Sequence, residues 1–209
     1  MKTLIVNSYH ADWTPKIEPV NELVGEFMEY EVADDIDLSP GYDLTGFAGV
    51  VLSGSPNLIS KNEYVPTYLE FLHHLTLPTL GICYGHQLLA RAFGAQVTNG
   101  ERFIEGYDTV RIIQSDPLFQ QLADETIVME SHREYVELND LDRAGFELLA
   151  NSTTCEVEAI RHLSRPLWGV QFHIERSGEI GRKIMENFCR FAREHERGPG
   201  ERRSQRTEN

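Results

Sequence analysis

The sequence predicts an α/β fold: a three-layer, open, mixed and mostly parallel sheet with helices on both faces. Three observations predict it. Short apolar runs at Thr3–Val6 and Phe47–Leu52 and in "LPTLGICYG" read as buried strands. Each is followed by a stretch with helical spacing, and strand–helix alternation of that kind builds a parallel sheet. Later segments, "DTVRIIQ" and "EVEAIRHL", alternate like half-buried strands, so the sheet is mixed. One folded domain is expected over 1–195, with a polar, disordered tail over 196–209.

Taken in order, "TLIV" is the first strand. "TPKIEPVNELVGEFMEY" follows as a helix opened by Pro15, with Ile17, Val20, Leu23, Val24, Phe27 and Met28 on its apolar side. "FAGVVLSGSP" is a strand running into a turn, and "EYVPTYLEFLHHL" is a helix. "LPTLGICYG" is a strand ended between Gly81 and Gly85, and "HQLLARAFG" is a helix closed by Gly94. After the alternating segments, "RPLWGVQFHIE" is a strand that ends in polar residues. "SGEIGRKIMENFCRFAREHE" is the last helix, with Ile180, Ile184, Phe188 and Phe191 on one face. The tail "RGPGERRSQRTEN" has no apolar residue with which to pack.

Composition narrows the function. The formal charge is −14, which disfavours nucleic acid as a direct ligand, because phosphate binding needs concentrated Lys and Arg. Cys83, Cys155 and Cys189 are odd in number and form no CxxC pair, as in a cytoplasmic protein with free thiols. The opening apolar run is too short for a signal peptide or a membrane span.

In open α/β sheets, chemistry collects at the carboxyl ends of strands. Three loops qualify: Ser53–Pro56, Ile82–Gly85 and Phe172–Glu175. Gly81-x-Cys83-x-Gly85 has the shape of a nucleophile elbow with cysteine in the place of serine. The helix that opens there favours a thiolate, and the N–H of Tyr84 can bind an oxyanion. A thiolate needs a base. Of eight histidines, His173 stands at a strand end with Glu175 two residues on, on the same side, where a carboxylate can orient the ring. His86 lies on the elbow's own helix and points away. A metal site lacks support: there is no HExxH, and His73 and His74 are about 100° apart on their helix. No cofactor is called for.

"GICYGHQLLA" and "GVQFHIE", with Cys83 and His173 spaced by 90 positions, resemble the triad-type class I glutamine amidotransferases. The resemblance runs from about Lys2 to Glu194 and implies a flavodoxin-like sheet. It implies that Cys83 attacks the side-chain amide of glutamine, that ammonia leaves, and that water then cleaves the glutamyl thioester. His173 moves the protons and Glu175 orients it. It also implies that Gln87 contacts the substrate and that Gly54 and Ser55 of "SGSP" form the oxyanion loop. His132 and Arg133, in "MESHREYV", join the substrate-binding set. Within the family, "SDPLFQQL", "MESHREYV" and "ELLANSTTCEVEAIRH" are most similar to glutaminase subunits of two-subunit GMP synthetases. That similarity implies that the partner is a separate ATP-dependent synthetase subunit.

Three positions depart from the family pattern. Ile174 stands where proline is usual, Ser55 where a second glycine is usual, and "RSGEIG" follows Glu175. Two other functions use the same residues: a stand-alone γ-glutamyl hydrolase or peptidase, and a binding homologue whose site has decayed.

Overall fold

The computed structural model describes residues 1–196. From residue 197 onward the expected tail lies outside the described residues. Nine strands form one sheet in the order β2-β1-β3-β4-β9-β8-β7-β5-β6. They are β1 (Lys2–Asn7), β2 (Glu29–Asp34), β3 (Phe47–Leu52), β4 (Thr79–Ile82), β5 (Val97–Ile112), β6 (Glu125–Val136), β7 (Phe146–Asn151), β8 (Ala159–His162) and β9 (Leu167–Val170). The sheet is parallel from β2 through β1, β3 and β4 to β9. It is antiparallel from β9 through β8, β7 and β5 to β6.

Helices cover both faces because successive side chains of a strand point to opposite sides. Ile5 and Val51 face Val20 and Val24 of α1 (Glu18–Gly25) and Ile184 and Phe188 of α5 (Gly178–Glu196). Leu4, Val6 and Leu52 face the other way, toward Phe71 and Leu72 of α2 (Pro66–His74) and Leu88 and Leu89 of α3 (Tyr84–Ala92). A one-turn helix, α4 (Leu141–Ala144), caps that second layer.

The long first helix expected from Pro15 is divided. Residues Ala11–Ile17 form a 3-10 turn and α1 begins only at Glu18. Pro19 is the reason: it has no N–H to bond the carbonyl four residues back, that of Pro15, so one continuous α-helix cannot pass through both prolines. Glu18 N bonds Pro15 O instead. Beyond α1 the chain turns into β2, an edge strand, where Phe27 and Met28 were expected to continue the helix. β5 runs from Val97, well before the expected "DTVRIIQ", and pairs with β6 along most of its length.

Candidate active site

The loops after β1, β3, β4 and β9 meet at one end of the parallel strands, and β6 passes beside them. Cys83 links β4 to α3 with φ 51° and ψ −105°, a conformation costly to any residue with a Cβ, of order 1–3 kcal/mol. Its N–H is held by Val170 O on β9 at 2.8 Å. The two flanking glycines are required by close approach. A Cβ on Gly81 would stand 2.6 Å from the carbonyl of Gly85, and one on Gly85 would stand 2.7 Å from Leu52. The turn thus brings the sulfur to the head of α3, with only 6% of the residue exposed. As the first residue of α3, Tyr84 has no carbonyl one turn back for its N–H. Its hydroxyl donates to Glu63 O at 3.0 Å.

His173 and Glu175 stand on the loop after β9, and Nδ1 of the ring is 2.6 Å from Glu175 Oε1. The pair is buried. Burial alone would lower the pKa of His173. The Cys83 and Glu175 charges, with hydrogen bonds to both, outweigh it and hold the imidazole well above its usual value. Ile174 replaces proline without opening the loop. It begins a 3-10 turn over Ile174–Arg176 and is buried in the core. Ser177 then closes the turn: its hydroxyl donates to His173 O at 2.7 Å and accepts from Met129 N of β6 at 2.9 Å.

Gly54 and Ser55 follow β3. The Ser53 hydroxyl accepts from Ser8 N at 2.9 Å and donates to Gly54 O at 3.0 Å, which fixes the loop against the end of β1. Ser55 is not among the residues with positive φ, so serine stands there without left-handed strain. Its hydroxyl accepts from Asn57 N.

Gln87, one turn into α3, is buried. Its amide nitrogen donates to Glu134 O at 2.7 Å and to Gln171 Oε1 at 3.0 Å. The ring of His132 bonds the same Glu134 carbonyl at 3.0 Å and faces Glu130 at 3.4 Å. On the same strand, the carbonyl of Ser131 lies 3.9 Å from Cys83 Sγ. Arg133 is exposed on β6 and makes no ion pair among the described residues. His86 is fully buried and its pKa is pushed down to about 3, chiefly by burial, so it stays neutral.

Four residues of the site were not foreseen. Gln171 is fully buried with its amide nitrogen 3.7 Å from Cys83 Sγ. It lies two residues before His173, and the strand period already placed the two on one side. The hydroxyl of Tyr9 stands 2.5 Å from where a Cβ of Gly54 would be, and the charges of Glu175 and Cys83 add to the burial that raises its pKa. Glu134 accepts from the N–H groups of Ile59 and Ser60 at 2.6 and 3.0 Å, tying the segment beyond the Gly54 loop to β6. Ser177 is the fourth. Nothing local in the sequence marks Tyr9, Glu134 or Ser177, because each acts on a segment distant in the chain. Among the described residues no group of three or more His, Cys, Asp and Glu side chains is arranged to hold a metal, and no helix is long and apolar enough to cross a membrane.

Comparison with known proteins identifies the family. Residues 20–191 match the family model described as glutamine amidotransferase class-I. The glutamine-hydrolyzing GMP synthase subunit of Thermococcus kodakarensis is 40% identical over 147 residues, covering 70% of this chain and 76% of that one. Its counterpart of the same name in Archaeoglobus fulgidus is 36% identical over 158 residues, covering 74% and 81%. A solved structure from Thermoplasma acidophilum, described as a candidate GMP synthase subunit, superposes with a TM-score of 0.82 at 28% identity over 94% of this chain and 96% of that one. With the family model spanning most of its length and these relatives aligned across two thirds of it or more, the chain belongs to the class-I glutamine amidotransferases.

Proposed function

We propose that this chain hydrolyses glutamine to glutamate and ammonia through a cysteine thioester, and that it supplies the ammonia to a synthetase carried on a separate chain. The observation that carries this reading is the buried His173–Glu175 contact of 2.6 Å beside the strained Cys83 elbow. Cys83 gives its proton to His173 and attacks the side-chain carbonyl of glutamine. The N–H groups of Tyr84 and of the Gly54–Ser55 loop are the donors available to the oxyanion. His173 returns the proton to the departing nitrogen, which leaves as ammonia. It next takes a proton from water as the water attacks the thioester, and glutamate departs. Glu175 keeps the ring oriented and stabilises its charged form.

The relatives named as glutamine-hydrolyzing GMP synthase subunits support a partner that carries the ATP pyrophosphatase, with the ammonia used to aminate xanthosine monophosphate. Cys83→Ala should abolish ammonia release while the melting temperature stays close to that of the parent. The partner is tested by glutamate formation at saturating glutamine, alone and with the pyrophosphatase subunit, xanthosine monophosphate and ATP. Stimulation by the loaded partner is expected. A rate already high alone and indifferent to the partner would instead assign a stand-alone γ-glutamyl hydrolase.

A further inference from the structure

Besides the imidazole, two groups reach the Cys83 sulfur, and they pull in opposite directions. The thiol can donate to Ser131 O at 3.9 Å, and Gln171 Nε2 can donate to the sulfur at 3.7 Å. A carbonyl favours the neutral thiol and an N–H favours the thiolate. Which end of Gln171 faces the sulfur therefore matters, and the network decides it. Glu134 O is a main-chain carbonyl and can only accept, so the nitrogen of Gln87 must be the end that meets it. The second N–H of Gln87 then goes to Gln171 Oε1, which leaves the Gln171 nitrogen for Cys83. Turning Gln171 over would set nitrogen against nitrogen, and turning Gln87 over would set its oxygen against Glu134 O. Gln171 is also held by its backbone, which donates to Glu158 O at 2.8 Å. The side chain is wholly buried, so water does not compete for the bond.

We infer that Gln171 is a further catalytic residue of this site: a fixed N–H donor that steadies the negative charge on Cys83 Sγ, with its direction locked through Gln87 and Glu134. The role appears twice in the reaction. Before attack, the thiol proton goes to His173 and the donor faces the resulting thiolate. At thioester breakdown the C–S bond cleaves, the electron pair returns to sulfur, and the same donor meets the charge as it forms. The inference rests on Cys83 being the nucleophile.

The test is alkylation of Cys83 by iodoacetamide in the full-length chain across pH, followed by peptide mass analysis, for the parent and for Gln171→Met. The variant keeps the approximate length and removes the donor. A hydrogen bond to a charged group of ordinary strength predicts that alkylation at pH 7 falls about tenfold, with the midpoint of the profile moved to higher pH. The plateau at high pH should be equal to the parent's or higher, since a less stabilised thiolate is the better nucleophile. That combination separates lost stabilisation from damage, which would lower the plateau and leave the midpoint in place. An unmoved midpoint, with or without a lower plateau, overturns the inference. Should Gln171→Met fail to fold, Gln171→Leu also removes the donor and adds no charge; the same upward shift is expected and its absence is equally decisive. Alkylation needs neither glutamine nor a partner, so the result stands apart from the ammonia release that tests the proposed function.

Discussion

In the proposed mechanism His173 and Glu175 have different tasks within one contact, and their substitutions should show it. His173→Ala removes the group that carries the proton, and a loss of about 10²–10⁴-fold in glutamate formation is expected. Glu175→Gln leaves the ring in place, accepting or donating through a neutral amide, and should cost less. Comparing kcat for the two variants checks this, and equal losses would mean that the carboxylate is also needed to hold the loop. Both residues were legible in the sequence because their relation is local: two positions apart at the end of a strand. Gln171 obeyed the same rule and was still passed over, because a buried glutamine carries no charge and no reactive atom to draw attention to it. Tyr9 could not have been found. It meets Gly54 only because β1 and β3 are neighbours in the sheet.

The turn after β9 depends on how closely α5 packs beneath it. A Cβ on Gly181 would overlap the carbonyl oxygen of Ile174, so Gly181→Ala must push α5 away from the turn that carries Glu175. Overpacking of this kind costs about 1–3 kcal/mol, and activity should fall further than stability. Urea unfolding alongside glutaminase assay reads both. Ile174→Pro is the opposite case. Ile174 opens its 3-10 turn, where proline fits, and His173 before it is already extended at φ −88° and ψ 93°. Activity within a few-fold of the parent is expected, with a modest fall in melting temperature from the lost buried side chain; a collapse of activity would mean that the Ile174 N–H is needed. At this scale the missed strands have physical reasons. β2 lies at an edge and four of its six residues are exposed, so it shows no alternation. β6 does alternate in burial from Glu125 to Val136. Its inward positions, however, include Thr126, Glu130, His132 and Glu134, so the hydrophobic period that would reveal a strand is missing.

Across the whole sheet, β6 and the loop before β8 bring two carboxyls together in the interior. Glu130 and Glu158 are wholly buried, and burial together with the charge of Glu130 holds Glu158 well above the usual carboxyl range. The Ser152 hydroxyl bonds one oxygen of Glu158 at 2.7 Å, while both oxygens of Glu130 lack a hydrogen-bond partner among the described residues. A carboxyl whose folded value is raised keeps its proton in the folded state after the unfolded chain has released it. Stability therefore falls as pH rises from the unfolded value, about 4.5, toward the folded one. Glu158→Gln mimics the protonated form at every pH. Urea unfolding at pH 5 and pH 8 should show a parent that loses stability across that interval and a variant that loses less. Equal losses would mean that the pair has no such linkage.

By itself the sequence determined the α/β architecture, the elbow at Cys83, the His173–Glu175 pair and the position of Gln87 one helical turn on. Each is encoded within a few residues: glycines where backbones nearly touch, a strand period of two, a helix period of 3.6. Only the tertiary structure decided what surrounds the sulfur. The amide chain from Glu134 through Gln87 and Gln171 to Cys83 joins β6, α3 and the end of β9, segments separated by 47 and 84 positions where Gln87 makes its bonds. No local pattern sets such contacts. They follow from the sheet order that places β9 beside β4 and from α3 packing against β6, so that buried polar groups must find partners in other segments.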